Sequence, residues 1–105
     1  MTALPLVGFL ALSSALFVVG LFGILTRRNF ILVLIAIEIA MNAAILNFVY
    51  FAAFSSGTAG LTGQAIAVVL IGFAATEVAV GLAIVLALNR LKGTINVAQA
   101  TDLKL

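Results

Sequence analysis

Residues 30–54 read FILVLIAIEIAMNAAILNFVYFAAF, and the only charge among them is Glu38, close to the middle. About 20 apolar residues cross a bilayer as a helix, so Phe30–Phe54 predicts a membrane span. Just ahead of it, Thr26, Arg27, Arg28 and Asn29 form a short polar link, with Asn29 placed to cap the helix that follows. Ahead of the link, Ala3–Leu25 holds no charge and predicts a first span. Pro5 falls in its opening turn, where a missing N–H costs nothing. On the far side, Ser55–Gly63 is rich in Ser, Gly and Thr and reads as a loop. A third span is expected over Gln64–Asn89, about 39 Å long if straight against a hydrocarbon core of about 30 Å, which calls for tilt or bending. Residues 90–105 make a polar tail suited to water or to a partner surface. The expectation is an all-α membrane protein of three transmembrane helices, with residues 1–105 forming one unit.

Composition agrees. Of 105 residues, 66% are hydrophobic and only 8% charged, whereas a soluble domain carries about 25% charged residues. Met1–Thr26 is not a secretory signal by this reading. It has no cationic start, outruns an apolar region of roughly 7–15 residues, and ends at Arg27–Arg28 instead of a small-residue cleavage site. The net charge of +2 is too sparse for nucleic-acid binding. With no Cys and no His, the chain cannot supply thiolate or imidazole to zinc, haem or an iron–sulfur cluster. Ser13, Ser14, Thr58 and Thr62 have no His or Lys beside them to serve as an activating base.

Charge placement gives the orientation. Three spans put the first link and the tail on one side, and Arg27, Arg28, Arg90, Lys92 and Lys104 all fall there. The positive-inside rule then sets the N-terminus outside and the tail in the cytoplasm. Arg27 and Arg28 read first as topology and lipid-headgroup anchors of the cytoplasmic loop.

Glu38 and Glu77 are the only acidic residues within the spans. A charge at the bilayer centre costs roughly 3 kcal/mol on insertion scales, so an intramembrane carboxylate is a functional candidate by default. Counted from Asn29 and from Asn89, the two lie about 13.5 and 18 Å deep, both near the midplane. They can face one another in one layer or lie side by side along a lateral path. Every cation sits near a helix end, so the chain offers neither of them an internal ion-pair partner. Two carboxyl groups in a water-poor layer, each able to take up and release a proton, have the chemistry of a proton relay. Asn42 is one turn beyond Glu38 and shares its face with Met41 and Ile45; Gly81 is one turn from Glu77 and leaves room for water or a neighbouring backbone. Asn47 lies about half a revolution from Glu38 and needs another partner. Ala75, Ala79, Ala83 and Ala87 form a ridge of small residues suited to close helix packing.

Four motifs bear a family resemblance: Arg27–Asn29 (RRN), Ile37–Ala43 (IEIAMNA), the pair Gly63–Gln64, and Ala74–Ile84 (AATEVAVGLAI). Together they resemble the K chain of respiratory complex I, the smallest core membrane subunit of NADH–quinone oxidoreductase, over nearly the full length. The resemblance implies a place in the membrane arm between quinone-proximal and antiporter-like subunits, with other small membrane subunits as neighbours. It implies that Glu38 and Glu77 belong to a hydrophilic axis of protonatable residues coupled to quinone reduction. NAD, flavin, iron–sulfur clusters and quinone would be bound elsewhere in the complex, and no cofactor or metal by this chain. Two departures stand out: Ala40, where the family has a bulkier aliphatic residue, and Thr76, where it has Ala. Thr76 places a hydroxyl beside Glu77 that bears on its hydration and hydrogen bonding. The membrane implied is a prokaryotic plasma membrane, with thylakoid and organellar inner membranes as alternatives. Relatives fed by ferredoxin or a deazaflavin leave the electron donor open.

Other classes fit less well. The small subunit of a multi-subunit sodium/proton antiporter lacks the paired Glu pattern. A small multidrug exporter needs four spans and a carboxylate in the first. The ring subunit of a rotary ATPase is a two-span hairpin with one carboxylate. A purely structural adaptor gives no reason to keep both Glu38 and Glu77.

Overall fold

The computed structural model describes residues 3–93 and 96–100. Three long helices dominate: α1, Ala3–Thr26; α2, Phe30–Ala53; and α3, Gly57–Lys92, followed by one short turn of helix, α4, Val97–Ala100. All three long helices are apolar and long enough to cross a membrane. The chain is therefore a multi-pass, all-α membrane protein.

Asn29 caps α2 as its residue type suggests: its side-chain oxygen accepts from the backbone N–H of Ile31 at 2.9 Å and of Leu32 at 3.4 Å. Two expected boundaries need correction. The loop expected over Ser55–Gly63 is confined to residues 54–56, and α3 begins at Gly57. The glycines that signalled a loop lie in the helix and let it approach its neighbours. A Cβ on Gly63 would lie 2.8 Å from that of Ala52, and one on Gly60 would lie 2.6 Å from the Ser55 carbonyl oxygen. The Thr62 hydroxyl donates to the carbonyl of Thr58, so it is satisfied within the helix instead of breaking it. At the other end α3 runs on through Arg90–Lys92, which the sequence assigned to the tail. Gly93 ends it in the left-handed conformation (φ 64°), its N–H returning to the Asn89 carbonyl at 2.8 Å. The tail then folds back on its own chain. Asn96 pairs with Asn29 in an isolated antiparallel bridge, and the N–H of Val97 donates to the carbonyl of Arg28 at 2.6 Å. Residues 94, 95 and 101–105 of the expected tail lie outside those described.

The three long helices lie side by side in a single layer, with extents of 54 × 24 × 15 Å. In that layer α2 is the middle member, packed on α1 along one edge and on α3 along the other, and α1 and α3 share no seam of their own. Small residues make both seams close. A Cβ on Gly20 of α1 would meet the backbone of Ala40 and Ala36 at 2.7 and 2.8 Å, and one on Gly23 would meet the Ala36 Cβ at 2.7 Å. On α3 the buried positions Gly60, Ala67 and Ala74 recur every seven residues, as expected of a helix face held against an antiparallel partner. At the end of the layer away from the arginines, Tyr50 is buried with its ring 4.4 Å from Phe9 and 4.7 Å from Phe54. Elsewhere the large apolar side chains, including Phe17, Phe22, Val68 and Phe73, point outward. A layer one helix thick has almost no interior, and in lipid it needs none, because apolar surface there costs nothing to expose.

Candidate functional site

Two contacts set the register between α2 and α3. A side chain at Gly81 would run into Leu34, and one at Gly63 would run into Ala52. On each helix the two contact points are five turns apart, so one register holds along the whole seam. Glu38 is four residues beyond Leu34, and Glu77 is four residues before Gly81. The two carboxylates therefore stand level with each other.

They do not face each other. A step of four residues overshoots a full turn by about 40°. Seen along the layer, both right-handed helices turn in the same sense, and because they face each other that overshoot swings Glu38 toward one face of the layer and Glu77 toward the other. The cavity beside Glu38 bears this out. Its volume is about 250 Å³, and α3 contributes Val78 and Leu82 to its wall, not Glu77. The rest of the lining is Ile31, Leu34, Ile35 and Ile39, so Glu38 is the one ionisable residue among the described residues that line it. Glu38 is half-buried by this arrangement, while Glu77 is exposed on the opposite face.

Of the polar residues expected to assist, Asn42 lies one turn from Glu38 and is exposed. The Thr76 hydroxyl is turned back on its own helix, donating to the Gly72 carbonyl at 2.9 Å. The room expected at Gly81 is taken by the Leu34 side chain, whose Cδ2 is 2.5 Å from where a Cβ would stand. Ala75, Ala79, Ala83 and Ala87 are all exposed and take no part in the seam with α2. Asn47 instead faces α1 across a small cavity shared with Ser13 and Ser14. Arg27 and Arg28 are exposed on the link and line a further cavity at that end of the layer. Asn89 and Asn96 line it too, and the sequence reading did not single them out. Their only local sign was two Asn residues flanking a Gly where α3 leaves the apolar span. Among the described residues no group of three or more His, Cys, Asp or Glu comes together.

Among the described residues of this three-span chain, the two carboxylates stand level, each on its own face and neither with a cation at its depth. Comparison with known proteins identifies which kind of membrane protein this is. Residues 8–105 match the family of NADH-ubiquinone/plastoquinone oxidoreductase chain 4L. The chain is 44% identical over 104 residues to NADH-quinone oxidoreductase subunit K of Bacillus anthracis, covering 99% of each chain. It is 42% identical to subunit K of Geobacillus sp. (strain WCH70), again over 99% of each. With subunit K of Anaeromyxobacter sp. (strain Fw109-5) it shares 41% identity over 94% of this chain and 96% of the relative. The chain belongs to this family: it is a membrane subunit of an NADH–quinone oxidoreductase, with other subunits of that complex as its partners.

Proposed function

We propose that Glu38 and Glu77 are stations on the proton-translocation path that such a complex couples to quinone reduction. The observation that carries this reading is their placement: level in the layer, on opposite faces, with no cation among the described residues at that depth. A structural ion pair would bring a cation to one of them or turn both inward. A carboxyl on each face instead suits hand-over between two different neighbours, with this chain forming the partition between them. The dry wall around Glu38 serves the same end, since aliphatic packing keeps water from short-circuiting the step. Asn42, on the Glu38 side, offers an amide to a carboxyl or to water along the approach.

The rest of the reading follows from family membership and charge. The neighbours are antiporter-like and other small membrane subunits. NADH is the electron donor, and NAD, flavin, iron–sulfur clusters and quinone are held elsewhere in the complex, this chain binding no cofactor. The membrane is a prokaryotic plasma membrane, with the arginine-bearing end of the layer in the cytoplasm and the N-terminus outside.

Glu→Gln keeps shape and removes the exchangeable proton, so it separates a relay from a structural role. In the assembled complex, E38Q and E77Q should each lower coupled NADH:quinone turnover by about a hundredfold, the lower end of what a positioned acid–base group contributes. The amount of intact complex on a native gel should be unchanged. Normal coupled turnover in both variants would refute the proposal, and loss of assembly would favour a structural carboxylate.

A further inference from the structure

At the arginine-bearing end, α3 outruns α2 by about two turns, and the returning segment at Asn96 closes the space between them. The result is a cavity of about 790 Å³. Its polar rim is Arg27, Arg28, Asn29, Asn89 and Asn96, and among the described residues no acidic side chain lines it. Deeper, its walls are apolar: Ile31 and Leu32 in the first turn of α2, and Val85 and Leu86 on α3. The backbone holds the rim in place. Asn29 is committed to capping α2, the Arg28 carbonyl accepts from Val97, and the Asn89 carbonyl accepts from Gly93.

We propose that this cavity is a binding site for an anionic phospholipid. The phosphodiester would be held by the Arg27 and Arg28 guanidiniums, and an acyl chain would run down the walls formed by α2 and α3. Guanidinium groups suit phosphate because their forked N–H donors match its oxygens. The rim lies where the apolar span of α2 begins, at the level of lipid headgroups. The change from a cationic rim to an aliphatic wall within one cavity matches an amphiphile. A soluble anion would fill only the rim and leave Ile31, Leu32, Val85 and Leu86 against water. The proposal needs only membrane residence and stands apart from the roles of Glu38 and Glu77.

The test uses the purified, assembled complex in detergent. It is exchanged with a phosphatidylglycerol carrying a photoreactive acyl chain, or with the phosphatidylcholine of the same chains, and labelled peptides are mapped by mass spectrometry. The phosphatidylglycerol probe should label segments around Ile31–Leu32 or Val85–Leu86 well above the neutral probe. R27Q and R28Q should each lower that labelling about fivefold, the ratio set by about 1 kcal/mol per basic residue at an anionic surface. Arg90 faces a different cavity, with Ala83 and Ala87, so R90Q should leave the labelling unchanged. Equal labelling by the neutral probe overturns the proposal. So does displacement of the label by inorganic phosphate, which assigns the rim to a soluble anion, and so does absence of label, which a neighbouring subunit filling the cavity would produce. Should the arginine variants not assemble, the comparison of the two probes on the unaltered complex decides.

Discussion

A methyl group at Gly20 would stand 2.7 Å from the Ala40 backbone nitrogen and 2.8 Å from the Ala36 carbonyl oxygen, neither of which can move aside without shifting α2. G20A should therefore cost about 1–3 kcal/mol, the range for an overpacked interior, and lower the thermal stability of the assembled complex. G8A is the control, since nothing lies within 4 Å of a Cβ there, and it should leave that stability unchanged. Gly81 differs in kind, because the obstacle is the end of the Leu34 side chain. G81A should destabilise, and L34A in the same chain should restore part of the loss. Two changes that simply add would show that they do not share a contact. The sequence made Glu38, Glu77 and Asn29 legible, because a carboxylate in a span and a cap ahead of one are each written in a single residue. It did not show which glycines were seams and which were turns. That depends on what the neighbouring helix presents, as Ala36 does to Gly20 and Leu34 does to Gly81.

At the scale of an element, α3 shows how a rule for soluble chains misleads in a membrane. Ser, Gly and Thr over residues 55–63 punctuate a soluble fold, yet in lipid backbone groups must bond within the segment and small residues mark helix contacts. The helix therefore starts at Gly57 and spends Gly60 and Gly63 on close approach. The same physics explains the alanine ridge. Its residues are small enough for a seam, but α2 already packs on the face bearing Ala67, Ala74 and Gly81. Nothing in a single sequence says which of two small-residue faces the chain uses on itself. Since α3 crosses the whole layer, single cysteines at its ends report orientation. S56C and K92C, both at exposed positions, should react with a membrane-impermeant thiol reagent from opposite sides, K92C from the cytoplasmic one. Reaction of both from one side would contradict the three-span arrangement, and reversal of the sides would contradict the orientation.

The described residues form a partition one helix thick, and the two carboxylates within its spans, Glu38 and Glu77, stand level on opposite faces. Their similar depth could be counted from the sequence, but their opposition could not, since it needs the register that Leu34–Gly81 and Ala52–Gly63 set together. If Glu38 and Glu77 serve one path in series, removing either carboxyl interrupts the same flow, and removing both adds little more. Groups that act as a unit are grossly non-additive in this way. The most direct test is therefore proton uptake driven by NADH oxidation in inverted membrane vesicles, compared among E38Q, E77Q and the double variant at equal amounts of assembled complex. The account predicts a large loss in each single variant and a double variant no worse than the more impaired of the two. Single variants that pump like the unaltered complex, or losses that multiply in the double variant as for two independent paths, would contradict it.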